Sequence, residues 1–188
     1  MFHVEQNNKE MSKETLISHL RNIPDYPMEG VQFKDVTSWF MIPEDLNEIV
    51  DSIYEMYKDK GITKVCGIES RGFVVGAALA VKLGAGFIPI RKPGKLPYET
   101  VSLEYKKEYG KDRVEMHKDA ITEDDVVLIH DDLLATGGTM LASYNLVQMF
   151  KPKKTYINFI IELYNLNGRD AFPKEVPIDS FISIDEFA

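Results

Sequence analysis

The run from Val126 to Thr139, Val-Val-Leu-Ile-His-Asp-Asp-Leu-Leu-Ala-Thr-Gly-Gly-Thr, constrains this chain more than any other segment. Its apolar, β-rich opening Val126–Ile129 has the composition of a short buried strand. Two carboxylates follow, Asp131 and Asp132, and then Ala135, Thr136, Gly137, Gly138 and Thr139 lead into a helical pattern over 139–150. The first turn of a helix leaves N–H groups unpaired and carries partial positive charge, which suits a phosphate. Glycines let the backbone close around that phosphate, and threonine hydroxyls add donors. Carboxylates beside a phosphate are repelled by it unless they face hydroxyls or a metal. Asp131 and Asp132 are therefore placed to accept from the 2′- and 3′-hydroxyls of a sugar phosphate. The Gly-Lys-Ser/Thr ending of a Walker loop is absent. The competing reading is a glycine turn with an acidic helix cap.

The rest of the chain supplies matching units. Thr63–Ile68, Gly86–Ile90 and Thr155–Ile161 read as further strands, and Phe73–Leu83 as a small-residue helix closed by Gly84. Ser12–Arg21 fits a short capped helix. Pro43 opens a longer one, with Leu46, Ile49, Val50, Ile53 and Tyr57 at helical spacing and Gly61 at its end. Asn22–Phe40, rich in glycine, proline and aromatics, reads as a structured loop, and 92–118 as an exposed hairpin or flap. Met1–Met11 reads as a loose tail. Alternating strands and helices predict a single α/β domain with an open, mostly parallel twisted sheet flanked by helices. Ligands of such sheets bind beyond the carboxyl ends of the strands, after Ile68, Ile90, Ile129 and Ile161.

Charge narrows the function. The chain carries 22 Lys and Arg against 30 Asp and Glu, net −8, which argues against a nucleic-acid surface. Between Thr63 and Lys95, however, six bases face one acid, Glu69. A basic middle in an acidic chain fits a small polyanion or a solvated basic face. The longest apolar stretch, Phe73–Val81, is far shorter than the roughly 20 residues of a membrane span. The single cysteine, Cys66, excludes an internal disulfide, and the polar N-terminus lacks the apolar core of a secretory signal, so a cytoplasmic location is expected. His3, His19 and His117 have no spacing for a metal.

With these residues in view, the chain resembles the type I phosphoribosyltransferases, whose signature is a strand, two acids and a Thr-Gly-Gly-Thr loop. The form Asp131-Asp-Leu-Leu-Ala-Thr-Gly-Gly-Thr139 is similar to the adenine-using members. Asp25-Tyr-Pro27, Gly30-Val-Gln-Phe-Lys-Asp-Val-Thr37, Glu69-Ser-Arg-Gly-Phe73, Arg91-Lys-Pro-Gly-Lys-Leu-Pro97 and Glu108-Tyr-Gly-Lys111 agree in order, from about Leu16 to Tyr164. The resemblance implies transfer of phosphoribose from phosphoribosyl pyrophosphate to adenine, giving AMP and pyrophosphate with Mg²⁺ held mainly by the substrate rather than by protein side chains. It also implies a homodimer that brings the Arg91–Lys95 loop near the partner's site, a small N-terminal hood over 22–40 and a flexible β-hairpin flap.

Residue roles follow from the same resemblance. Asp131, Asp132, Ala135, Thr136, Gly137, Gly138 and Thr139 would hold the ribose and 5′-phosphate. Glu69, Ser70, Arg71, Gly72, Arg91, Lys92 and Lys95 would hold the pyrophosphate, with a cis peptide expected at Glu69–Ser70. Positive groups around a leaving pyrophosphate stabilise charge that grows in the transition state, which makes Arg71 a catalytic candidate. Glu108 would bond adenine N7 and ease loss of the N9 proton, and Tyr109 would cover the sugar when the flap closes. Gln32, Phe33 and Lys34 would select the base, by ring stacking and backbone readout. Two residues depart from the pattern: Lys34 stands where arginine is common, and His130 where an apolar residue is usual, read here as a satisfied strand-end histidine. The alternatives are transfer to another purine, or a non-catalytic sensor of phosphoribosyl pyrophosphate that binds nucleic acid. A 6-oxo purine needs a donor at O6, commonly a lysine near the C-terminal strand, and Tyr156–Asn165 offers none.

Overall fold

In a computed structural model of the chain, residues 12–106 and 111–187 are described. They divide between Glu48 and Ile49 into two compact units.

The smaller unit begins with helix α1, Lys13–Ser18, which Ser12 caps by accepting from the Thr15 backbone N–H at 3.2 Å. Strands β1, Arg21–Pro24, and β2, Gln32–Asp35, pair antiparallel, with Ile23 opposite Phe33. Sequence reading expects only a loop here, because two four-residue strands around a turn bearing Pro27 and Gly30 are too short to show a period. The turn holds a cis Tyr26–Pro27 bond and a left-handed Gly30, whose N–H donates to Asp25 Oδ1 at 2.8 Å. Helix α2, Thr37–Phe40, follows. Its Trp39 is fully buried and donates its indole N–H to the Leu16 carbonyl at 2.7 Å, so the largest side chain of the unit is satisfied at its one polar atom.

Helix α3, Pro43–Tyr57, takes its proline at the first helical position, where a missing N–H costs nothing. In the larger unit β3, Lys64–Ile68, leads to α4, Gly72–Leu83, which ends at a left-handed Gly84. Next come β4, Gly86–Ile90, and a hairpin of β5, Thr100–Lys106, and β6, Lys111–His117. Strand β7, Val126–Leu134, helix α5, Gly138–Gln148, and strand β8, Lys154–Leu163, complete the predicted alternation. A short 3-10 helix, Gly168–Ala171, precedes strand β9, Ile178–Ile184.

The sheet has five parallel strands in the order β4-β3-β7-β8-β9. Helix α4 packs on β3, β4 and β7, whereas α5 packs on β7 and on the β5–β6 hairpin. Alternation along the strands separates the two faces. Val127, Ile129, Ile157 and Phe159 join Leu146 and Val147 of α5 in one apolar cluster. Each such side chain contributes about 1.5–3 kcal/mol when fully buried. Strand β7 runs five residues past the expected Ile129, through the acid pair, because the apolar end of β8 continues the ladder: Asp131 opposes Phe159 and Leu133 opposes Ile161. Strand β9 lies beyond the motifs and was not expected. Burial pushes the Cys66 thiol up, as befits a core hydrophobe. Among the described residues no helix is long and apolar enough to cross a membrane.

Candidate active site

A cavity of about 850 Å³ opens at the carboxyl ends of β3 and β7. It gathers Glu69, Ser70 and Arg71 after β3, Lys92 after β4, Asp131 and Asp132 of β7, and the whole loop Ala135–Thr139. Leu133, Leu134, Tyr105, Phe159 and Met140 complete most of the wall.

The loop is shaped by its glycines. Gly137 caps α5 with φ at +82°, a left-handed conformation that L side chains rarely adopt. A Cβ there would also lie 2.6 Å from the Gly168 carbonyl oxygen. The helix therefore starts with open N–H groups on the cavity side, the arrangement a phosphate needs. Tyr105 on β5 reaches across to Thr139, hydroxyl to hydroxyl at 3.2 Å, and donates to Asp112 at 3.2 Å. Asp112 in turn pairs with the Lys92 ammonium, so a cavity cation is held by the hairpin.

The acid pair sits over the start of α4. A Cβ on Gly72 would come within 2.9 Å of both Asp131 Oδ1 and the His130 carbonyl, so only glycine lets the helix approach this closely. Arg71 then reaches Asp132, Nε to Oδ2, at 2.6 Å. Asp131 Oδ1 accepts from the Asp132 backbone N–H at 2.9 Å. Burial and the neighbouring Asp132 charge hold the Asp131 carboxyl well above the ordinary range, and burial raises Asp132 as well, against the pull of Arg71. With Arg71 against the buried Asp132 and Asp131 half-buried beside it, the two acids are poised to accept from hydroxyl groups, which relieve the crowding without adding charge.

Around Glu69 the backbone is cis at Glu69–Ser70, as the resemblance implies. The Glu69 carboxylate accepts from Arg91 Nε at 2.8 Å and from the Lys92 backbone N–H at 3.2 Å, tying the β3 and β4 loops together. Arg91 and Lys95 do not line the cavity, and neither does Gly72, which works beneath it. Gln32, Phe33 and Lys34 lie on β2 of the smaller unit. There Gln32 accepts from Asn22 at 2.9 Å, Phe33 meets Tyr26 edge-on with ring centroids 5.1 Å apart, and Lys34 is buried. Glu108 and Tyr109 lie outside the described residues, as does the tail Met1–Met11.

His130 is fully buried on the opposite face of β7 from Ile129. Its Nδ1 meets Asn158 Oδ1 of β8 at 2.9 Å, while its Nε2 has no hydrogen-bond partner among the described residues. Burial drives its pKa down to about 4, so the ring is neutral and, against expectation, only half satisfied. Sequence reasoning missed Phe159 and Tyr105 as wall residues. Both had a signal: Phe159 approaches the carboxyl end of a strand already singled out, and Tyr105 falls in the 92–118 segment read as a flap.

Comparison with known proteins agrees with this geometry. Residues 36–181 match the family model for the phosphoribosyl transferase domain. The adenine phosphoribosyltransferase of Phocaeicola vulgatus is 63% identical over 174 residues, covering 93% of this chain and 100% of that protein. The crystal structure of adenine phosphoribosyltransferase from Rhodothermus marinus superposes with a TM-score of 0.86 at 47% identity, covering 91% of this chain and 97% of the other. That of the Giardia lamblia enzyme in complex with 9-deazaadenine gives 0.87 at 38% identity, covering 93% and 98%. The chain belongs to the phosphoribosyltransferase family.

Proposed function

We propose that the chain transfers phosphoribose from phosphoribosyl pyrophosphate to adenine, releasing AMP and pyrophosphate. The observation that carries the reading is the convergence of a Thr-Gly-Gly-Thr helix start, the acid pair Asp131 and Asp132, and Arg71 on one cavity. High identity to relatives named for this activity supports the choice of adenine. So does the lack of any lysine along 155–165, where a 6-oxo purine needs a donor.

In this reading the loop N–H groups and the hydroxyls of Thr136 and Thr139 bind the 5′-phosphate, and Asp131 and Asp132 accept from the ribose hydroxyls. Ser70, Arg71 and Lys92 surround the pyrophosphate. As the bond from C1′ to pyrophosphate oxygen breaks and the bond from C1′ to adenine N9 forms, charge grows on the leaving group, and Arg71 stabilises it there. Glu108, protonated, donates a hydrogen bond to N7 and keeps its proton, which makes the N9–H more acidic, and the N9 proton leaves with the departing pyrophosphate. Tyr109 covers the sugar and keeps water off C1′. Phe33, with backbone groups near Gln32 and Lys34, recognises the base.

The donor set fits magnesium carried by substrate oxygens. Asp131 and Asp132 stand in the cavity as acceptors for the ribose hydroxyls, and the pyrophosphate oxygens supply most of the hard donors that the cation prefers. Magnesium, when bound, neutralises charge on the pyrophosphate. A homodimer completes the reading: Arg91 and Lys95, which do not line their own cavity, would serve the partner's site.

The reverse reaction tests the proposal. AMP with magnesium should yield adenine only when pyrophosphate is added, with phosphoribosyl pyrophosphate formed in equal amount. Release of ribose 5-phosphate without pyrophosphate would mark a hydrolase and overturn it.

A further inference from the structure

The 3-10 helix Gly168–Ala171 plays no part in the chemistry above, yet the phosphate loop is built against it. The Gly168 carbonyl occupies the space a Cβ on Gly137 would need, and Phe172 and Ala171 approach the same point at 3.1 and 3.3 Å. From the other side, a Cβ on Gly168 would fall on the Ala135 carbonyl and lie 2.8 Å from Leu134. Loop and helix thus meet glycine to glycine, with no slack for either to shift alone.

One side chain fixes where that helix stands. Arg169 donates from Nε and Nη2 to the two oxygens of Glu162, both at 2.6 Å, in a parallel fork. Its Nη1 donates to the Ile178 carbonyl at 2.7 Å, and Nη2 also reaches Ser180 Oγ at 3.3 Å. Glu162 is buried at the end of β8, and Ile178 and Ser180 belong to β9. The Arg169 hydrogen bond holds the Glu162 carboxyl below its ordinary value, so the pair stays ionised.

We infer that the Arg169–Glu162 fork is a positioning element for the 5′-phosphate loop, setting the place of Gly168 and through it the left-handed turn at Gly137. The inference rests on the loop's role in the reading above. A planar fork across two strands locates the helix in two dimensions, which a lysine cannot do. The residues never touch substrate, so their loss acts on phosphate affinity and leaves the bond-breaking step alone.

The test compares Arg169→Lys and Glu162→Gln with the unaltered enzyme in steady-state kinetics and in direct titration with ribose 5-phosphate and with pyrophosphate. Both variants should raise KM for phosphoribosyl pyrophosphate and Kd for ribose 5-phosphate about tenfold, the change equivalent to one lost charge-assisted hydrogen bond. The kcat, the KM for adenine and the Kd for pyrophosphate should stay within about twofold. Equal weakening of all ligands, or a fall in kcat alone, would show general loosening and overturn the inference. So would unchanged ribose 5-phosphate binding in either folded variant. A Thr136→Val, Thr139→Val double variant separates this failure from that of the loop reading. If the double variant loses ribose 5-phosphate and the fork variants do not, the loop stands and the fork has no such role. If the double variant binds normally, the loop reading itself fails.

Discussion

His130 gives a stability prediction whose size and sign both come from its surroundings. The ring is fully buried, and its pKa falls from an ordinary 6.5 to about 4 because burial penalises the charged form. The facing group is Asn158, whose Oδ1 accepts from Nδ1 and only partly offsets the cost of burial. The folded pKa lies below the unfolded one, so between about pH 6.5 and pH 4 the unfolded chain binds the proton and the folded protein does not. The contribution is complete above pH 6.5 and is lost on acidification, by about 2 kcal/mol near pH 5 and about 3 kcal/mol at the limit. The assay is urea unfolding of the unaltered protein and of His130→Gln at about pH 7.5 and about pH 5. Glutamine is neutral throughout and still offers an amide to Asn158. The unaltered protein should lose about 2 kcal/mol relative to the variant over that interval, with similar urea slopes. A difference that stays flat with pH would refute the reasoning, since it would mean that the ring titrates normally in the fold.

Three further perturbations bear on the site. Asp131→Asn should raise thermal stability while cutting kcat/KM by about two orders of magnitude, because the folded carboxyl is raised and its ionisation opposes folding increasingly as pH climbs; melting curves and turnover at neutral pH check both halves. Gly137→Ala should cost about 1–2 kcal/mol for the left-handed residue alone, and more for the contact with Gly168, and should raise KM for phosphoribosyl pyrophosphate at least about tenfold in steady-state kinetics. Glu108→Gln should lower kcat about 100-fold with little change in KM for phosphoribosyl pyrophosphate, and turnover within a few-fold of the unaltered enzyme would remove Glu108 from the chemistry.

Much of this architecture is legible in the residues because several signals coincide at each element. Val126–Ile129 is apolar and β-branched, the acids and glycines after it have no use in a plain turn, and the ligand rule for parallel sheets points to the same place. The cavity accordingly brings Glu69, Ser70, Arg71, Lys92, Asp131, Asp132 and the Ala135–Thr139 loop together. What stayed hidden depends on partners distant in sequence. The end of β7 at Leu134 is set by its ladder with β8, and no window around Asp131 contains that information. The β1–β2 pair is too short for a period to emerge. Gly168 and Arg169 resemble any polar turn until Gly137, 31 positions earlier, is found packed against them. Arg71 reads with the pyrophosphate motif and Asp132 with the ribose motif; the structure pairs them within the cavity wall, joining two motifs read as separate.

The most direct test of the central claim is a purine panel: magnesium and phosphoribosyl pyrophosphate incubated with adenine, hypoxanthine, guanine or xanthine, and nucleotide and pyrophosphate both quantified. Adenine alone should give product, with AMP and pyrophosphate in equal amounts. Turnover of a 6-oxo purine in place of adenine, or no product from any base while phosphoribosyl pyrophosphate still binds, would contradict it.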